Sequence, residues 1–188
     1  MTVAASTRYG PVAQAAHWLT FLLVACVFLV GITMEDLPVS PDRVRLFSYH
    51  KWLGVTIFLV VALRLAWRWR HPPPPLPAAM PTWERHAARL MHVALYFLLF
   101  AVPLSGWLMS SAKGFQTVYF GVLPIPDLLA KDKPLGEELE RLHWLLNKTL
   151  LMLALLHALA ALKHHYVNRD DVLARMTPGL SPRIGGAP

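Results

Sequence analysis

Cysteine is all but missing from this chain of 188 residues, where Cys26 stands alone. One thiol closes no internal disulfide and builds no cysteine-rich metal site, so Cys26 reads as a small apolar filler. Charge is scarce too. Asp, Glu, Lys and Arg make up 15% of the residues against 55% hydrophobic ones, far from the roughly 25% charged residues of a soluble domain. Polar stripes at the 3.6-residue helical repeat are nearly absent from residues 19–34 and 150–162, although a soluble helical bundle requires them. The long apolar stretches hold no Asp or Glu at all. These gaps exclude a soluble domain, a disulfide scaffold and carboxylate-based metal binding within the apolar part.

What the chain does have is four apolar stretches: Ala13–Met34, Phe47–Trp69, Leu90–Met109 and Leu142–Tyr166. Each is near the ~20 residues that cross a hydrocarbon core of ~30 Å. The predicted fold class is an all-α membrane protein, a four-transmembrane-helix bundle built from residues 1–176. A tail without structure is expected over 177–188. The first stretch is too long for the apolar core of a secretory signal and precedes no small-x-small site, so it is read as a span of the mature chain. Membrane lipids are expected partners, and nucleic acid is not. The net charge of +7 bears on topology instead. With both termini on one side, that side gathers ten Lys and Arg against three acids, and the other side eight against eight. The tight cluster Arg64, Arg68 and Arg70 adds to the bias, so both termini are expected in the cytoplasm.

Histidine carries the chemistry. His143 and His157 are 14 residues apart in the last apolar stretch, which on a helix is about 40° short of four turns and roughly 21 Å along the axis. Both rings leave one face, and an ionisable ring inside a bilayer marks a bundle interior or a cofactor. Alternating helix direction sorts the others by depth. His50 and His143 fall on an outer plane, while His17, His92 and His157 fall on an inner plane near the termini. Two planes with at least two imidazoles each suit two six-coordinate haems, whose irons take one axial nitrogen from either side. Zinc needs three or four converging ligands, and the stretches offer neither carboxylates nor further thiols. The outer pair is His50 with His143. At the inner plane His157 shares the stripe of His143, and spacing leaves the choice between His17 and His92 open.

Glycines recur on the same faces. Gly31 lies 14 residues after His17, Gly106 lies 14 after His92, and Gly54 sits one turn from His50. A missing side chain lets a flat ring approach a helix backbone. Arg64, 14 residues after His50, either snorkels like its neighbours or pairs with a cofactor carboxylate. His164, one heptad past His157, continues the stripe and is the candidate quinone contact. His71, before the stiff run Pro72–Pro77, is expected in a solvated loop, and His86 at the wet interface. Pro103 should kink or loosen the third helix. Ser110–Arg141 is the one sizeable external loop, long enough for a short helix or a lid.

His17-Trp18, His50 with Gly54, Gly106, His143, His157 and the ending Lys163-His164-His165-Tyr166 together resemble the bacterial four-helix dihaem cytochrome b561 family over nearly the full length. The resemblance implies two haem b groups enclosed by the bundle in a bacterial inner membrane. It makes His17 the partner of His157 and His50 the partner of His143, and leaves His92 as lining of the inner haem pocket. Gly31, Gly54, Gly106 and Arg64 are the further haem-pocket candidates. It further implies superoxide oxidation with electrons passed to ubiquinone. Lys51, Arg141 and Lys148, with Lys113, are the cations expected to steer superoxide. Bis-histidine ligation leaves iron no open position, so electron transfer is the expected chemistry. The alternative is a quinone-reactive electron-transfer subunit that serves a separate dehydrogenase or hydrogenase through Ser110–Arg141. No fused domain is apparent, which favours the stand-alone oxidase.

Overall fold

The computed structural model describes residues 8–77 and 79–181. Four long helices dominate it: α1 (Pro11–Asp36), α2 (Pro41–Arg70), α3 (Thr82–Ala112) and α4 (Lys133–Lys163). α4 runs on into a π-helical turn, His164–Asn168, followed by a short helix α5 (Val172–Met176). Each of the four long helices is long and apolar enough to cross a membrane. Large apolar side chains such as Leu29, Leu63, Leu90 and Leu159 cover the outside. That inverted surface suits hydrocarbon rather than water.

Proline and capping side chains fix the helix starts. Pro11, Pro41 and Pro134 sit in first turns, where a missing N–H costs nothing. The Ser40 hydroxyl accepts from the Arg43 N–H at 3.3 Å, and Asp132 Oδ1 accepts from the Leu135 N–H at 3.0 Å. The Asp132 cap corrects one expectation. α4 begins nine residues before the predicted span, because the acidic run Glu137–Glu140 sits in its exposed early turns rather than in a loop. The external connection therefore shrinks to residues 113–132. It is neither a helix nor an irregular lid but an antiparallel hairpin, β1 (Thr117–Tyr119) with β2 (Leu123–Ile125). Nor does Pro103 interrupt α3, which stays helical to Ala112.

Successive helices pack as neighbours, α1 on α2, α2 on α3 and α3 on α4, while α1 and α4 are not closely packed. Ile57, Val61, Leu98, Leu99, Val102 and Leu150 form the dry centre. Leu150 is seven residues from both His143 and His157, so this cluster forms a partition between the two histidine levels. Residues 8–18 and 175–177 meet at one end of the bundle. The Tyr9 N–H donates to the Arg175 carbonyl (3.2 Å), and the Trp18 indole N–H to the Met176 carbonyl (3.0 Å). Gln14 is buried and bridges both segments, donating to Tyr9 O and Arg175 O. Trp18 thus clasps the C-terminal segment, beyond the interfacial belt role that its position suggests. Thr177, where the structureless tail was expected to open, is instead tied in: its N–H donates to Leu173 O (3.1 Å) and its carbonyl accepts from Arg8. Residues 182–188 lie outside the described residues.

Candidate functional site

The bundle interior presents imidazoles at two depths, here called inner (the end where α5 meets the start of α1) and outer. At the outer level the His50 ring from α2 and the His143 ring from α4 stand 6.3 Å apart, centroid to centroid, nearly perpendicular at 84°. Glycines make room for both. A Cβ on Gly106 would stand 3.0 Å from His143 Cε1, and one on Gly31 3.3 Å from His50 Cε1. Gly31 therefore serves a histidine on the neighbouring helix. A Cβ on Gly54 would meet nothing within 4 Å.

His143 is held by its other nitrogen. Its Nδ1 lies 3.1 Å from the Val102 carbonyl and 3.0 Å from Ser105 Oγ, while the Ser105 hydroxyl itself donates to Val102 O at 2.8 Å. A carbonyl only accepts, so Nδ1 carries the proton and Nε2 keeps its lone pair for a metal. Ser105 escaped the sequence reading. Its only signal is a hydroxyl beside Gly106 in an apolar run, and its face becomes meaningful only once α4 is docked.

Gly106→Ala should displace His143, because that ring is pinned and cannot yield. Overpacking of this kind costs about 1–3 kcal/mol, and the expected result is loss of any metal group held by the outer pair with the inner pair undisturbed. Gly31→Ala should do less, since the added atom stands farther from the His50 ring than the Gly106 one does from His143. Optical spectra of the two purified variants check the order.

At the inner level His17 of α1 and His157 of α4 also stand 6.3 Å apart, tilted by 46°. His92 of α3 packs edge-on to His157 at 5.3 Å. Arg64 and Arg68 lie over the Tyr96 ring at 5.4 and 5.9 Å. Arg64 also lines a small cavity of about 40 Å³ with Tyr9, Trp67, Tyr96 and Met176. Burial leaves Nδ1 of His17 and of His50 without a hydrogen-bond partner.

Two imidazoles on one metal, with metal–nitrogen bonds of about 2.0–2.1 Å and about 1.1 Å more from each nitrogen to its ring centre, place the centroids about 6.3 Å apart. Both cross-helix pairs have that separation, and the His92–His157 pair is too short for it. Among the described residues no group of three or more His, Cys, Asp or Glu side chains comes together as a metal site. Paired imidazoles suit a metal that brings its own in-plane ligands, so the donors fit haem iron and do not fit zinc.

The remaining predicted residues are not drawn into one cluster. Lys51 Nζ donates to the Phe115 carbonyl (2.8 Å) and ties the hairpin to α2. Arg141 pairs with Glu138 (2.9 Å), Lys113 pairs with Glu140 (2.8 Å), and Lys148 lies over the Trp144 ring at 5.4 Å. Arg141 lines an open outer groove of about 560 Å³ with Glu35, Glu140, Trp144 and Leu145. His71 is exposed and stacks on Trp67 at 3.9 Å, and His86 is exposed. His164 is enclosed by Glu84, Asn168 and Asp170 at the inner end. Tyr119 also went unnoticed in the sequence. Its hydroxyl lies 2.8 Å from Thr56 Oγ1, which brings the hairpin down beside Gly54.

A membrane bundle that offers paired imidazoles at two depths is the frame of a b-type cytochrome. The chain belongs to the prokaryotic cytochrome b561 family, which it matches over residues 8–179, and membership implies haem b. Cytochrome b561 homolog 2 of Escherichia coli (strain K12) is 37% identical over 171 residues, 90% of each chain. Cytochrome b561 homolog 1 of the same organism is 30% identical over 174 residues, 91% of this chain and 97% of that one. A protein named probable superoxide oxidase CybB, from Yersinia pestis, is 29% identical over 178 residues, 91% of this chain and 96% of that one.

Proposed function

We infer that the protein is a dihaem cytochrome that carries electrons between the two membrane faces, oxidising superoxide on the outer face and reducing ubiquinone. The observation that carries this reading is the repeated 6.3 Å separation of two histidine pairs, each with one member on α4. His50 and His143 would hold the outer haem iron, and His17 and His157 the inner one. Haem b would supply a one-electron carrier there. The chain's residues do the rest. Val102 and Ser105 orient His143, and the partition around Leu150 keeps water from the path between the levels. Arg64, beside Tyr96, would neutralise a carboxylate of the inner haem, and His92, against His157, would line its pocket. Lys51, Arg141 and Lys148 raise the local concentration of the superoxide anion at the outer end. Two superoxide anions become two O₂, and their two electrons with two protons convert quinone to quinol. The probable superoxide oxidase CybB of Yersinia pestis supports the choice of donor. The excess of Lys and Arg at the inner end supports a cytoplasmic position for both termini in a bacterial inner membrane.

The test is purified, haem-loaded protein given a superoxide source and a soluble ubiquinone. Quinol should form with no other subunit present. Haem that superoxide fails to reduce would remove the enzyme reading. In its place would stand an electron-transfer subunit docking a dehydrogenase on the outer hairpin, which exposes Phe120, Val122 and Leu123.

A further inference from the structure

The hairpin between α3 and α4 has the wrong composition for a loop that faces water. From Gly114 to Pro126 the chain carries no charged residue, while Lys113 and Asp127 close the run on either side. Phe115 is 65% exposed, Phe120 59%, Val122 83% and Leu123 58%. A strand pair open to water is guarded by charge, because its bare edges template aggregation. No such charge is present. A contiguous exposed apolar patch marks contact with a partner or a membrane.

Depth decides between them. Gly31 stands against His50, so Glu35, four residues further along α1, lies roughly 6 Å above the outer histidine level. The contacts of the hairpin run the other way, down α2. The Trp52 indole donates to the Val118 carbonyl (2.7 Å), and the Trp52 and Phe120 rings stand 5.2 Å apart. The Tyr119 hydroxyl meets Thr56 Oγ1 at 2.8 Å. Thr56 is six residues past His50, roughly 9 Å towards the inner end. β1 thus packs on α2 below the first charges, within the outer half of a hydrocarbon core of ~30 Å.

Lipid offers backbone groups no partners, so an embedded segment must find them in the protein. This one does. The Phe115 carbonyl accepts from Lys51 Nζ at 2.8 Å and from the Ser110 hydroxyl. The Val118 carbonyl accepts from the Gly121 N–H as well as from Trp52, and the Tyr119 carbonyl from the Val122 N–H, both at 3.1 Å. The Pro126 carbonyl accepts from the Trp107 indole at 3.0 Å. Pro124, within β2, and Pro126 bring no N–H that would need a partner.

We propose that residues 115–126 form a lipid-embedded wedge, lying in the outer leaflet against α2, with Phe120-Gly121-Val122 touching phospholipid acyl chains. Its exposed side continues the apolar surface of the bundle. Lys51, Trp52 and Thr56, which hold it, follow His50 on α2, so the wedge braces the helix that carries one outer imidazole. Neither the superoxide nor the quinone reading is needed for this inference.

Spin labels in haem-loaded protein, one chain to a nanodisc of phosphatidylethanolamine and phosphatidylglycerol, test the depth. In a Cys26→Ser background, single labels enter through Phe120→Cys, Val122→Cys and, as the reference in water, Glu137→Cys. The Val122 side chain is exposed in the protein itself, so its replacement disturbs no packing. Oxygen concentrates in hydrocarbon, and a water-soluble nickel chelate stays outside it. Labels at 120 and 122 should relax several-fold more with oxygen than with the chelate, and the label at 137 the reverse. Chelate access at 122 equal to that at 137 would overturn the proposal and leave the hairpin in water, open to a protein partner. Low access of both probes at 122 would also overturn it, since protein rather than lipid would then cover the tip. Adding Tyr119→Phe should raise chelate access at 122, because the hydroxyl that fixes the depth at Thr56 is lost. An unchanged ratio there would overturn the anchoring assigned to Thr56.

Discussion

His143→Ala and His157→Ala are each expected to remove one haem, and not the same one. The haem content of either variant should fall from about two per chain to about one, since each iron needs both axial imidazoles. The two rings leave one face of α4 and are separated by roughly 21 Å of helix. Between them lies the packed layer of Leu150 with Ile57, Val61, Leu98 and Leu99. That layer lets one level lose its cofactor while the other keeps its walls. Haem quantification with low-temperature optical spectra separates the outcomes, because the two centres have different surroundings: Ser105 and Val102 at the outer level, Arg64 and Tyr96 at the inner. If both variants lose the same absorbance band, the assignment of depth is wrong.

The second large effect concerns the inner pair. His17→Ala should lose the inner haem, whereas His92→Ala should retain both and shift only the potential or band position of the inner one. Geometry favours this ordering. His17 and His157 repeat the 6.3 Å centroid separation of the outer pair, and His92 approaches His157 to 5.3 Å, edge-on at 69°. An imidazole at that separation packs against a ligand and cannot share its metal from the opposite side. His17→Met gives a check that does not depend on losing the cofactor, since a thioether in place of one imidazole raises the potential of a haem. A raised inner potential in His17→Met but not in His92→Met supports the pairing, and the reverse pattern would replace it with His92.

Much of this frame was legible in one dimension. In a bilayer every backbone polar group must be satisfied within the segment, so long apolar stretches become helices. The fixed helical rise then converts residue spacing into depth. That is why four spans and two histidine levels could be read from residues 17, 50, 92, 143 and 157 alone. Helix ends were less legible: α4 starts at Lys133 because Asp132 caps it and Pro134 suits its first turn, both outside any hydrophobic signal.

Rotation of one helix against the next leaves no periodic trace in the sequence. Gly31 was placed in the sequence only by its spacing from His17 on the same helix, and the structure shows it making room for His50 on α2. Gly106 likewise serves His143 of α4. Spacing could not choose between His17 and His92, whereas the structure sets their rings at different distances from His157, 6.3 and 5.3 Å. Nothing in the spacing marked Glu84, which the π turn after α4 sets beside His164. The sequence by itself determined how deep each chemical group lies, because depth follows from helical rise. Only the tertiary structure decided which groups face each other, because facing depends on side-chain packing between helices far apart in the chain.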